Sequence, residues 1–166
     1  MSNTPEGTHG ITLLDHARIA AELAEGDRSE AEVLGAHRLT PEAWSSATQH
    51  WLLHMADDAS KHGAEAVVAV EYSEAFAQAQ DALAAAPKMS PEGWARLVVD
   101  VQRSGDPAGP LSDRQMSLPD YLRLARSMAR LLSTDEGASR RFAVTYERLQ
   151  QPEEEAAASS RELDAP

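Results

Sequence analysis

An internal repeat is the feature that most constrains how this chain can fold. The segment Leu39–Asp58 is matched 77 positions later by the segment Met116–Asp135. The matched pairs are Thr40 and Ser117, Trp44 and Tyr121, Trp51 and Met128, Met55 and Leu132, and Asp58 and Asp135. A hydroxyl residue followed by apolar side chains at three- and four-residue spacing is typical of a capped amphipathic helix. The chain is therefore predicted to contain two copies of one helical unit.

Each copy is predicted to contain three helices. In the first copy, one helix begins after Thr12 and ends at Gly26, a second begins after Thr40, and a third spans residues 63–83. The first two start with a hydroxyl side chain that can accept a hydrogen bond from the first helical turn. In the second copy, Ser90 marks the start of the first helix in the same way.

The spacing of the large apolar residues predicts which helix faces are buried. On the second helix of the first copy, four large apolar residues and one alanine follow three- and four-residue spacing, with Leu52 directly after Trp51: Trp44, Ala47, Trp51, Leu52 and Met55. On the third helix, four residues are expected to face inward: Val67, Val70, Phe76 and Leu83. Because each tryptophan can bury on the order of 200 Å², the second helix should supply much of the core.

The two copies are expected to differ most between their first and second helices. In the first copy, Ser29 and Glu32 form a capping-box pattern, which predicts one or two helical turns. The equivalent segment of the second copy, Asp106–Pro110, contains two prolines and a glycine. We expect a loop at that segment.

The fold class follows from the absence of any strand-length alternation of apolar and polar residues, which predicts an all-α fold. We expect two tandem, diverged three-helix units, over residues 11–86 and 87–151, packed as one helical array. Two copies are too few for a free solenoid. Residues 1–10 and the acidic tail 152–166 contain few large apolar residues and are expected to be disordered.

Composition excludes several classes of site. The chain contains no cysteine, which removes disulfides, thiolate metal sites and cysteine nucleophiles. The sequence contains no apolar run of transmembrane length, and its first residues lack the pattern of a signal peptide. We therefore expect a cytoplasmic protein that does not contact a membrane. Arginine outnumbers lysine and alanine is abundant, as in the genes of GC-rich bacteria.

Charge is unevenly distributed along the chain. The net charge is −12, and residues 1–86 contain 14 acidic and 4 basic residues, whereas residues 87–151 contain 8 acidic and 10 basic ones. An acidic first copy argues against general nucleic-acid binding. The contrast favours electrostatic pairing with another charged protein, or with a second copy of this chain.

His50 and His54 are the sharpest chemical candidates. Histidines four residues apart lie on one helix face and can share a metal ion. The zinc-protease pattern requires a glutamate directly after the first histidine, and that position is Trp51. His54 and His16 align with Leu131 and Trp94 of the second copy, positions predicted to lie in the core. We therefore expect partly buried, hydrogen-bonded side chains at His16 and His54, kept neutral by desolvation, an exposed His50, and no metal.

A stripe of arginines is the second candidate. Arg123, Arg126 and Arg130 follow a three- and four-residue spacing and share one face of a helix. Three roles fit such a stripe: a solvated face, a contact with an acidic protein surface, or a contact with phosphate or nucleic acid. We expect the solvated face first, and of the two contacts we favour the acidic protein surface. Such a surface could belong to the chain's own tail or to the first copy of a neighbouring molecule.

No catalytic motif is evident in the sequence. There is no nucleophile elbow and no glycine-rich loop after a strand. Residues 11–80 do resemble segments of uncharacterised helical proteins of GC-rich bacteria that are associated with type VI secretion loci. The shared pattern includes Leu39-Thr40, Trp44 and Trp51 through Asp58, and the second copy departs from it at Tyr121 and Met128. The resemblance implies an accessory or adaptor module, an immunity protein or a cargo chaperone, and transfers no catalytic residue.

Taken together, these patterns predict a non-enzymatic helical protein-interaction module that acts through its charged surfaces and uses no cofactor. Its partner is expected to be another protein, and a homo-oligomer is left open. One alternative is a metal-binding protein or metal-dependent enzyme that uses His50 and His54. The other is a regulator that contacts nucleic acid through Arg123, Arg126 and Arg130.

Overall fold

The structure, a computed structural model, describes residues 10–151, and these form eight α-helices and no β-strand. The chain is therefore all-α, as predicted. It divides into two compact units, with the boundary between Ala85 and Ala86. The expectation of disorder for residues 1–10 and 152–166 lies outside the described residues, apart from Gly10.

The first unit contains four helices. They are α1 (Leu13–Glu25), α2 (Glu30–Ala36), α3 (Pro41–His62) and α4 (Val68–Leu83), and a 3₁₀ turn at Gly63–Glu65 separates α3 from α4. α1 packs most extensively against α4, and α2 and α3 pack beside them. Ile19, Val33 and Leu34 form a buried cluster between α1 and α2. Leu39 and Trp44 pack against it from the start of α3.

The second unit has the same order of long and short helices. They are α5 (Pro91–Ser104), α6 (Ala108–Ser112), α7 (Leu118–Thr134) and α8 (Glu136–Gln150). α5 packs most extensively against α8, as α1 does against α4. Its buried cluster consists of Trp94, Leu97, Leu111, Leu124 and Met128. The expected three-helix units are not confirmed, because each unit contains a fourth, short helix.

The loop predicted at residues 106–110 is wrong, because α6 begins inside that segment. Pro107 lies at the N-cap and Pro110 in the first turn, where a helix has no internal partner for a backbone N–H and tolerates proline. The Asp106 carboxylate accepts a hydrogen bond from the Ala108 amide at 3.0 Å. Leu111 is buried and holds the short helix against the unit.

The helix starts predicted from a hydroxyl side chain agree with the structure, whereas the helix predicted over residues 63–83 begins only at Val68, after the 3₁₀ turn. At five N-caps, the side-chain hydroxyl accepts a hydrogen bond from the amide three residues later: Thr12, Ser29, Thr40, Ser90 and Ser117. At α2 the bond is reciprocal, since the Glu32 carboxylate also accepts from the Ser29 amide at 2.8 Å. Caps are recognisable from sequence because they depend on residues within one turn.

The predictions of which residues face inward on α3 and α4 are wrong in part. Val67, Val70 and Leu83 are exposed, whereas Gln80 is fully buried on α4. Alanines at positions 75, 77 and 79 are half-buried instead, so small residues supply much of the inner surface of this helix. On α3, Trp51 is buried as predicted, but Leu52 is exposed.

Asp58 and Asp135, matched in the repeat, both cap the last helix of their unit. Asp58 lies near the end of α3, and its Oδ2 accepts hydrogen bonds from the Val67 and Val68 amides at 2.9 Å. The bond from the Val68 amide is the largest cause of a lowered pKa for Asp58. Asp135 is itself the N-cap of α8 and accepts from the Ala138 amide at 2.9 Å.

Candidate functional site

His16 occupies a buried aromatic site in the first unit, as predicted. Its ring stacks on Trp44 with centroids 4.4 Å apart and lies 5.7 Å from the ring of Tyr72. Its Nε2 is 3.0 Å from the Thr48 hydroxyl, and its Nδ1 has no hydrogen-bond partner among the described residues. Burial lowers the pKa of His16, so the ring is held in its neutral form. This histidine packs α1 against α3.

The matched position in the second unit contains a similar pair. Trp94 on α5 lies 5.5 Å from the ring of Tyr121 on α7, as His16 on α1 lies against Trp44 on α3. Trp51 and Met128, another matched pair, are both buried. Superposition of the two units stays a prediction, and these shared environments support it.

The His50–His54 pair lies beside the core, and the described part of the chain supplies no third metal ligand to it. The two ring centroids are 6.3 Å apart, and both rings contact the buried indole of Trp51. His54 is half-buried, in agreement with the expected partial burial. His50, expected to be exposed, is half-buried too. Within residues 10–151, no three histidine, aspartate or glutamate side chains are placed to hold a metal ion.

The predicted arginine stripe is not a single solvated face. The Arg123 side chain is only 3% exposed, and its Nη2 donates to Asp120 Oδ1 at 2.8 Å. Arg126 is half-buried and Arg130 is exposed. Arg123 therefore contributes to the interior of the second unit instead of its surface. A role in partner binding for Arg126 and Arg130 stays a prediction.

The outer face of α3 presents large apolar side chains to solvent. Leu52 and Leu53 are 57% and 63% exposed, and Trp44 lies two helical turns before them. These residues and three polar, uncharged ones line a cleft with a volume of about 630 Å³: Ser45, Thr48 and Gln49. The apolar periodicity of α3 predicts that Leu52 is buried. This prediction is wrong because periodicity alone does not separate adjacent faces of one helix.

Comparisons of the chain with known protein families, with curated proteins and with solved structures find no significant match. In the part of the chain that the structure describes, no helix is both long enough and apolar enough to cross a membrane. A function for this chain is therefore inferred from its own surfaces.

Proposed function

We propose that this protein is a non-enzymatic helical interaction module, of the adaptor, chaperone or immunity type. The observation that carries the proposal is the outer face of α3, where Leu52 and Leu53 are exposed next to the half-buried ring of Trp44. Adjacent exposed leucines on a concave surface leave apolar area in water that a binding partner can cover. Aromatic residues at such a surface are frequent anchors of protein contacts.

The partner that fits this face is a basic protein with an apolar segment. Residues 1–86 carry a net charge of −10, from 14 acidic and 4 basic residues. On the same helix, Glu42 and Asp57 are exposed on either side of the leucines. An acidic surround raises the rate of encounter with a basic partner and disfavours acidic ones. Apolar contact at the centre then provides most of the affinity.

Binding of a designed probe tests this proposal. The probe is a fluorescein-labelled amphipathic helix of leucine and lysine, about 18 residues long, titrated against the full chain in an anisotropy assay. Replacing two exposed leucines by glutamate in Leu52→Glu/Leu53→Glu should weaken binding about tenfold or more, since two apolar contacts of about 1 kcal/mol each are lost. The matched control is Leu118→Glu, which alters an exposed leucine of the second unit.

The control should bind the probe as tightly as the wild-type chain does. Equal affinity of the double variant and the wild type would contradict a role for this face. Sedimentation tests a different occupant: a dimer of the chain that dissociates on Leu52→Glu/Leu53→Glu would show that a second copy covers the leucines. Binding should also weaken as salt increases, because the acidic surround is screened.

A further inference from the structure

The turn after the short helix has the same unusual geometry in both units. In the first unit, the Leu39 amide donates to the Leu34 carbonyl at 2.9 Å and the Arg38 amide to the Gly35 carbonyl at 3.1 Å. These bonds define a Schellman motif, whose left-handed residue is usually glycine. Here that residue is Arg38, with a φ of 57°.

The second unit repeats the motif 77 positions later with another residue that is not glycine. The Met116 amide donates to the Leu111 carbonyl and the Gln115 amide to the Ser112 carbonyl, both at 3.0 Å. Gln115 has a φ of 52°. A left-handed conformation costs a residue with a side chain about 1–2 kcal/mol. Both units therefore keep a long polar side chain where glycine would be less strained.

Each of these turns forms one wall of a cleft, and the other wall is the start of the first helix of the unit. The first-unit cleft has a volume of about 320 Å³ and is lined by Asp15, Arg18 and His37, among others. The second-unit cleft has a volume of about 440 Å³. Its lining residues are Pro87, Lys88, Met89, Gly93, Arg96, Arg114, Gln115, Met116 and Asp120.

The clefts differ in the charge that they offer to a ligand. In the first, Asp15 lies 3.7 Å from Arg18 and partly neutralises it. The matched positions in the second are Gly93 and Arg96, so no carboxylate takes the place of Asp15 in the lining; the acid that interacts with Arg96 is Glu92, which is not among the lining residues. A Cβ on Gly93 would lie 2.9 Å from Met89 Cγ, so any side chain at this position would displace the cleft wall.

Two other charged residues of the second cleft, Arg114 and Asp120, already form hydrogen bonds with neighbouring residues. Arg114 donates to Asp100 Oδ2 and to the Pro110 carbonyl, which fixes its guanidinium at the rim. Burial opposes ionisation of Asp120, but hydrogen bonds, first from Arg123 and then from Ser117, outweigh it and lower the pKa of Asp120. Asp120 is therefore ionised. The formal charges of the four charged lining residues sum to +2, and because Arg114 is paired with Asp100, Lys88 and Arg96 are the cations offered to a ligand.

We propose that the cleft of the second unit binds an acidic peptide segment that also carries apolar side chains. Lys88 and Arg96 are exposed and contact the carboxylates of the peptide. Met89 and Met116 are half-buried and form an apolar floor that accommodates an aliphatic side chain. A volume of about 440 Å³ fits two or three residues of an extended chain. This site is independent of the α3 face in the first unit.

The test uses the full chain and a fluorescein-labelled hexapeptide of alternating leucine and glutamate in an anisotropy titration. A hexapeptide of alternating leucine and glutamine is the uncharged control. The acidic peptide should bind about tenfold more tightly than the control, and Lys88→Gln/Arg96→Gln should remove that difference. The matched control variant is Arg18→Gln, which changes the equivalent arginine of the first unit and should alter the affinity less than about twofold.

Three results would overturn the proposal. Equal binding of the two peptides would show that the cleft does not select carboxylates. An unchanged affinity of Lys88→Gln/Arg96→Gln, with helix content and melting temperature as in the wild type, would place the peptide elsewhere. Displacement of the peptide by about 10 mM inorganic phosphate, but not by equal ionic strength of sodium chloride, would identify a free-oxyanion site instead. Both substituted residues are exposed, so folding of the variant is expected.

Discussion

Replacing Trp51 by alanine should destabilise the first unit by about 3–5 kcal/mol. The side chain is fully buried, and about 200 Å² of apolar surface at about 25 cal/mol per Å² gives an upper value near 5 kcal/mol. Its indole N–H donates to the Ile11 carbonyl at 3.3 Å, a long bond that adds about 0.5–1 kcal/mol. Trp51→Phe keeps most of the apolar contact and loses the bond, so it should cost about 1–2 kcal/mol.

Urea denaturation followed by far-ultraviolet circular dichroism measures these changes, because removing a tryptophan alters the fluorescence signal itself. Because Trp51 belongs to the first unit, the loss of stability should appear in the unfolding of that unit. Leu53→Ala is the control on the same helix, and its 63% exposed side chain should cost less than about 0.5 kcal/mol. A loss below about 1 kcal/mol for Trp51→Ala would refute the assignment of Trp51 to the core.

Three further predictions follow from buried polar groups. Burial holds the folded-state pKa of His16 below the unfolded value of about 6.5, so the free energy of unfolding should be complete above that pH and fall below it. The His16→Phe variant should lose this pH dependence. NMR titration of the His16 ring should give a pKa below about 6.5. Hydrogen bonds, chiefly from the Val68 amide, lower the pKa of Asp58. Its contribution to folding stability is therefore present above the unfolded pKa of about 3.9 and is lost as pH falls through the folded pKa. The stability of Asp58→Asn should lack this loss in an acid denaturation experiment. Arg123→Ala should cost about 1–3 kcal/mol in urea denaturation and Arg130→Ala less than about 0.5 kcal/mol, and equal losses would contradict the burial of Arg123.

The all-α class and the helix starts could be predicted from sequence because they depend on short-range patterns. Thr12 and Ser90 each precede an apolar run with helical spacing, and both are N-caps in the structure. The buried environment of His16 also followed from sequence, because its match in the second copy is Trp94. In each case the deciding residues lie within one helical turn or at a matched position of the repeat.

Other features depend on packing that spacing does not encode. The sequence does not predict α6, because prolines are typical of loops and are compatible with a helix only when they fall at its start. The sequence does not predict the exposure of Val67 and Val70, because α4 contains many alanines, which leave several of its faces equally apolar. The paired clefts could not be predicted, since Arg38 and Gln115 adopt left-handed conformations that the sequence signals only when the residue is glycine.

The 3₁₀ turn at Gly63–Glu65 provides an attachment point for labels. In the second unit only Asp135 lies between α7 and α8, so that unit closes without such a turn. In the first unit, Asp58 holds the start of α4 from within α3, and the exposed turn is not part of that contact. Exposed turns of this kind accept inserted sequence with little loss of stability. A fluorescent domain or an epitope placed at Ala64 would therefore report on the full chain while both of its termini remain unmodified.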